Sequence, residues 1–157
     1  MLKENDLAPA FSLLDSNESR VSLKDFFGKW VVLYFYPKDF TFGCTIEAID
    51  FTKRSPEFSK LRAMILGISK DSCESHMKFV KGKKLSITLL SDPDSAVQKL
   101  YGVWQPKKLL GREFLGTVRT TFLVDPEGMI VKIWNKVNPI GHADAVLEEV
   151  RKRSEPK

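Results

Sequence analysis

A chain of 157 residues, 43% hydrophobic and 29% charged, can bury one core and is too short for two comfortable ones, so a single domain spanning 1–157 is expected. The net charge is +5, but the basic tail 151–157 carries four positive charges and one negative, which leaves a near-neutral body and argues against a nucleic-acid partner. No apolar run reaches signal-peptide length or the ~20 residues of a membrane span, so a cytoplasmic protein with no membrane partner and a flexible basic tail is expected.

In chain order, Ala10 to Leu14 suits an edge strand, and Ser22 to Phe26 a short helical turn capped by Ser22. Apolar, β-branched runs predict strands at Trp30 to Tyr36, Ala63 to Ser69, Ser86 to Leu90, Thr120 to Asp125 and Met129 to Asn135. Helices are expected at Cys44 to Lys60, Ser72 to Lys81, Ser95 to Tyr101 and Ala143 to Arg153. Lys78, Lys81, Lys83 and Lys84 read as a solvated helix end that complements the helix dipole. The first three long strands alternate with helices and suit parallel crossovers, whereas the turn Pro126-Glu127-Gly128 joins only antiparallel neighbours. A mixed central sheet with helices on both faces follows, and the element order resembles that of a thioredoxin-like α/β domain.

The chemistry centres on the passage from strand to helix at Pro37-Lys38-Asp39-Phe40-Thr41-Phe42-Gly43-Cys44. Pro37 fixes the direction of the chain leaving the strand, and Gly43 lets the backbone approach whatever Cys44 attacks. A thiol in a first helical turn faces unpaired N–H groups and the positive end of the dipole, surroundings that favour thiolates in general. With Thr41 three residues earlier, the segment forms a cup of donors suited to a small molecule whose reaction develops negative charge on oxygen, as a peroxide does. Such a reaction gains from a fixed cation, and Arg119, opening an apolar strand, is the candidate; a structural ion pair fits the same position equally. Glu47, one turn after Cys44, either pairs with an arginine in the site or favours the helix start.

Cys44 and Cys73 lie 29 residues apart, which gives neither a CxxC pair nor a cysteine-built zinc cluster. His76 and His142 lack ligand-spaced partners and read as surface or half-buried residues, so no metal is expected. Trp104, Tyr101 and Phe42 either wall the cup or pack in a core.

The spacing Pro37-x-x-x-Thr41-x-x-Cys44 resembles the active-site signature of the peroxiredoxins, the thiol peroxidases built on a thioredoxin fold. The passages Tyr34 to Ala48, Gly67 to Asp71, Leu89 to Asp92, Tyr101 to Trp104 and Arg119 to Asp125 are similar to the bacterioferritin-comigratory, or Q-type, group, over roughly residues 6 to 150. The resemblance implies a peroxidatic Cys44, with Pro37, Thr41 and Arg119 completing the catalytic set and Gly43 and Glu47 beside the substrate. It implies reduction of hydrogen peroxide and organic hydroperoxides without metal, haem or nucleotide cofactor. It further implies recycling by thioredoxin, glutaredoxin or a small thiol, and a monomer rather than a dimer.

The departure lies in the resolving cysteine. The two positions where Q-type members carry it are occupied here by Ile49 and Val80. Cys73 shares a helical stripe with Met77 and Val80 at i, i+4 and i+7, but lies ~10 Å further along the axis. A packing residue, an intramolecular resolving thiol and an intersubunit one all fit it, and a one-cysteine cycle with an external thiol is the expectation. Two rivals remain open on sequence: a thioredoxin-like disulfide reductase, and a holdase or nucleic-acid-binding protein with an incidental thiol.

Overall fold

The strand Trp30–Phe35 (β3) carries side chains of both cores, because its two faces are both covered. Val32 and Tyr34 point to one side, with Tyr36 just beyond the strand, while Val31, Leu33 and Phe35 point to the other. In the computed structural model, which describes residues 1–154, β3 is an interior strand of a seven-stranded sheet. The other members are Ser12–Asp15 (β1), Arg20–Ser22 (β2), Ala63–Ser69 (β4), Thr88–Ser91 (β5), Thr120–Val124 (β8) and Ile130–Trp134 (β9), in the spatial order β2-β1-β5-β4-β3-β8-β9. As the connections predict, β3, β4 and β5 are parallel, and β8 and β9 run antiparallel.

Three helices cover the first face: Phe42–Lys60 (α1) through Phe51 and Phe58, Cys73–Lys83 (α2) through Phe79, and His142–Ser154 (α4) through Val146, Leu147 and Val150. The second face is covered by Ala96–Leu100 (α3) through Val97, by Leu23 of the 3-10 turn Leu23–Phe26, and by Phe11 and Tyr101. This is the thioredoxin-like arrangement. Lys81 and Lys83 close α2, and Lys84 caps it in the left-handed conformation.

Several sequence expectations need correction. The first strand begins at Ser12 rather than Ala10 and is not an edge, since β2 pairs outside it. The strand expected at Ser86 to Leu90 is displaced to Thr88–Ser91. Arg151 to Ser154 are the last turn of α4 rather than a tail, with Arg151 paired to Glu57 at 2.8 Å and Arg153 to Glu149 at 2.8 Å; residues 155–157 lie outside the described residues. A hairpin of Trp104–Leu109 (β6) and Arg112–Thr117 (β7) stands as its own two-stranded sheet where no strand is expected. No helix of the described residues is long and apolar enough to cross a membrane.

Candidate active site

Thr41 caps α1 from the extended region, which places Phe42, Gly43 and Cys44 in the first helical turn. The first intrahelical bond is donated by the Thr45 N–H to the Thr41 carbonyl at 2.9 Å, so the N–H groups of the three preceding residues are left for another acceptor. The Thr41 hydroxyl spends its proton on the Lys38 carbonyl at 2.9 Å, which leaves its oxygen lone pairs as acceptors. Pro37, half-buried, sets the direction of this segment just past β3.

Arg119 arrives from the other end of the sequence because β8 pairs antiparallel with β3, bringing the residue before Thr120 to the end of β3 from which the Cys44 loop departs. Its Nη2 donates to Cys44 Sγ at 3.2 Å and its Nη1 donates to Glu47 Oε1 at 2.7 Å. The guanidinium thus bridges a buried thiol and a buried carboxyl, and the Val137 N–H holds the Arg119 carbonyl at 3.0 Å. Burial works against its charge, but Glu47 and Cys44 more than offset this and keep it protonated.

Gly43 explains itself against this arginine. A Cβ there would meet Arg119 Nη2 at 3.2 Å and Pro139 Cγ at 3.3 Å. Gly43→Ala is therefore expected to push the guanidinium off the sulfur and slow Cys44 oxidation by about tenfold with a smaller change in stability, as measured by stopped-flow peroxide kinetics and urea unfolding.

Glu47 is buried on all sides, and burial pushes its carboxyl up to about 7 despite the opposing pull of Arg119. Its Oε2 and the Tyr34 hydroxyl are buried without a hydrogen-bond partner among the described residues. His142 lies behind, with Nε2 at 2.8 Å from Thr121 Oγ1 and its ring edge-on to Phe51 and Trp134; burial and then Arg119 bring it down to about 4.

These two groups act oppositely on stability. Folding favours the protonated Glu47, so its contribution is complete below about pH 4.5 and is lost as pH rises to about 7. Folding favours the neutral His142, so its contribution is complete above about pH 6.5 and is lost as pH falls to about 4. Relative to wild type, Glu47→Gln is expected to gain on the order of 3 kcal/mol of unfolding free energy between pH 4.5 and 7, and His142→Asn a similar amount between pH 6.5 and 4. Urea titrations across this range check both slopes.

The structure thus brings Thr41, Gly43, Cys44, Glu47 and Arg119 together, with Pro37 at the start of the loop. It does not bring Cys73 to them. Cys73 opens α2, half-exposed, and lines a cleft of about 510 Å³ with Ser12, Leu14, Arg20 and Asp94, whereas Val80 of the same helix packs on the core that contains Cys44. The two histidines, expected at the surface or half-buried, are both buried. Tyr101 does not wall the cup: it lies in the opposite core and donates to the Pro9 carbonyl at 2.6 Å. Trp104 stands at the base of the hairpin under Lys70, and Phe42 is exposed next to the site.

Asp39, Asp71 and His76 bring their ligand atoms within 4.8 Å of one another. The 2.8 Å between His76 Nδ1 and Asp39 Oδ2 is a hydrogen-bond distance, shorter than the roughly 3.3 Å that separates two ligands on a tetrahedral metal.

Known proteins are similar to this chain along almost its whole length. Residues 5–133 match the AhpC/TSA family. A putative peroxiredoxin bcp of Helicobacter pylori is 44% identical over 95% of this chain and 98% of its own. Peroxiredoxin Bcp of Bacillus subtilis is 42% identical over 94% of each. Among solved structures, the bacterioferritin comigratory protein of Xanthomonas campestris, studied for its alkyl peroxide reduction activity, is 41% identical, covers 92% of each chain and has a TM-score of 0.88. A cysteine-to-serine mutant of Xylella fastidiosa PrxQ covers 99% of each chain at 33% identity with a TM-score of 0.94. A cysteine at a helix mouth beneath an arginine that immediately precedes a neighbouring strand is thus held on a fold and in a sequence that place the chain among the peroxiredoxins of the AhpC/TSA family, beside its Bcp and PrxQ members, as a thiol peroxidase.

Proposed function

We propose that Cys44 is the peroxidatic residue and that the chain reduces hydrogen peroxide and small organic hydroperoxides, with Arg119, Thr41 and Pro37 as its catalytic partners and Gly43 and Glu47 shaping the substrate position. The observation that carries this reading is the 3.2 Å contact from Arg119 Nη2 to Cys44 Sγ. The sulfur attacks one peroxide oxygen, an S–O bond forms as the O–O bond breaks, and the departing oxygen leaves as an alkoxide or hydroxide that takes up a proton. Arg119 and the first-turn N–H groups donate to the oxygens as charge develops on them, and the Thr41 oxygen accepts the hydrogen of the incoming peroxide. Cys44 becomes a sulfenic acid.

An external thiol then condenses with the sulfenic acid, releasing water, and a second thiol displaces it and restores Cys44. Peroxiredoxins use peroxide and a thiol reductant such as thioredoxin; for this chain thioredoxin, glutaredoxin and a small thiol all suit the one-cysteine cycle. The position of Cys73 in a separate cleft favours that cycle over an internal disulfide, which needs Cα atoms within ~7 Å. Cys44, Glu47, Thr41 and Arg119 come from one chain, so we take the working unit to be a monomeric single domain, and its free thiols suit the reducing cytoplasm.

Steady-state assays with hydrogen peroxide and an alkyl hydroperoxide test this. Repeated turnover is expected with a dithiol or the thioredoxin system and a single turnover without a reductant. Equal peroxide loss with the protein absent would contradict the reading.

A further inference from the structure

Asp39 and His76 are buried, titratable and unused by the chemistry above. The Asp39 carboxylate accepts from the Tyr36 hydroxyl at 2.6 Å on Oδ1 and from Ser75 Oγ at 2.8 Å on Oδ2, and Oδ2 lies 2.8 Å from His76 Nδ1. The Asp39 N–H donates to Asp71 Oδ2 at 2.9 Å. On the far side of the ring, His76 Nε2 is 3.0 Å from the Leu90 carbonyl. A carbonyl only accepts, so Nε2 carries a hydrogen. Tyr36 also lies 3.3 Å from Nδ1, but its proton is committed to Asp39 at the shorter distance. The contact between Nδ1 and Oδ2 therefore closes only around one shared proton, as imidazolium with carboxylate or imidazole with carboxylic acid.

What this pair holds is the segment between β3 and α1. Lys38, Phe40 and Thr41 are exposed, and Asp39 is the buried polar anchor among them. Phe40, the next residue, has φ of 66°, a left-handed conformation that a bulky side chain adopts only when its surroundings impose it. Two ties to α2 do so: Asp39 on Ser75 and His76, and the Phe40 ring on Phe79 with centroids 5.0 Å apart. The residue after Phe40 is Thr41, the cap of the helix that carries Cys44.

We propose that His76, acting through Asp39, is a positioning residue that locks the 37–41 segment onto α2 and so sets where Thr41 and Cys44 stand relative to Arg119. This rests on the thiol peroxidase reading and adds to it a residue that touches neither substrate nor sulfur.

The test uses the full chain and four readouts: single-turnover oxidation of Cys44 by hydrogen peroxide, urea unfolding, the nitrogen-bound protons of His76 by NMR, and amide hydrogen exchange across 38–45. His76→Phe is expected to slow oxidation at least tenfold in protein that remains folded. Adding Asp39→Asn to it removes the orphaned carboxylate and is expected to restore the urea midpoint but not the rate. Thr41→Val is expected to cost clearly less in the His76→Phe background than in wild type, because both act through one segment. In wild type one proton is expected in the contact between the ring and the Asp39 carboxyl, and Asp39→Asn abolishes it. A folded His76→Phe protein with the wild-type rate overturns the proposal, as does a double variant that regains rate together with stability. If His76→Phe does not fold, the near-isosteric Asp39→Asn carries the same comparison, and an unchanged rate there overturns it. If wild type itself resists peroxide, the peroxidase reading fails on its own, and amide exchange decides this proposal: faster exchange in the variant supports it and unchanged exchange overturns it.

Discussion

Arg119→Ala is expected to slow oxidation of Cys44 by hydrogen peroxide at least tenfold, and about a hundredfold on the scale of removing one preorganised donor from a site that stabilises developing negative charge on oxygen. The side chain is 15% exposed and touches both the sulfur at 3.2 Å and Glu47 at 2.7 Å, so the variant loses the donor facing the thiol and the partner of a buried carboxyl together. Breaking a buried ion pair on one side costs about 3–5 kcal/mol when the survivor stays charged. Glu47 has another course, since burial already holds it at about 7 and the loss of Arg119 removes the interaction opposing that rise. It takes up a proton, so the stability loss of Arg119→Ala is expected to be small at pH 6 and larger at pH 8, whereas the kinetic loss persists at both. Stopped-flow rates and urea midpoints at the two pH values separate these effects. A wild-type second-order rate in the variant would remove Arg119 from the chemistry.

Cys44→Ser is expected to eliminate peroxide consumption altogether. The hydroxyl that replaces the thiol stays protonated near neutrality and is a poor nucleophile toward an O–O bond, while the cup, the arginine and the fold remain. Cys73→Ser, by contrast, is expected to leave the oxidation step at the wild-type rate, because Cys73 lines a cleft bounded by β1, β2 and the turn around Asp94. Parallel assays of the two variants with hydrogen peroxide and a dithiol check this. Residual turnover in Cys44→Ser would assign the activity to another group, and a slower first step in Cys73→Ser would tie the second thiol to the site.

The sheet and the Cys44 site are legible in the sequence because each is written locally. The strands around Val32, Ile65 and Leu123 are continuous apolar runs, as buried central strands must be. The Thr41–Cys44 spacing falls within one helix start, so Pro37, Thr41, Gly43 and Cys44 follow from a short segment. Arg119 is 75 residues from Cys44, and its arrival depends on which strand neighbours β3, which only resemblance suggests in advance.

The unread parts have equally specific causes. The β6–β7 hairpin carries Pro106 and three nearby cations, so it lacks an alternating apolar pattern. Its turn places Leu110 at φ 52° and Gly111 at φ 77°, although Asn or Asp is the usual first residue where both angles are positive. The burial of His76 depends on Asp39, 37 residues away, and that of His142 on Thr121, so neither histidine can be distinguished from a surface residue by its neighbours in sequence.

The most direct measurement is peptide mapping by mass spectrometry after wild-type protein has reacted with one equivalent of hydrogen peroxide under acid quench and thiol trapping. A single oxygen is expected on Cys44, trapped as the sulfenic acid adduct, with Cys73 unmodified. Oxygen on Cys73 with Cys44 untouched would contradict the assignment of Cys44 as the reacting sulfur.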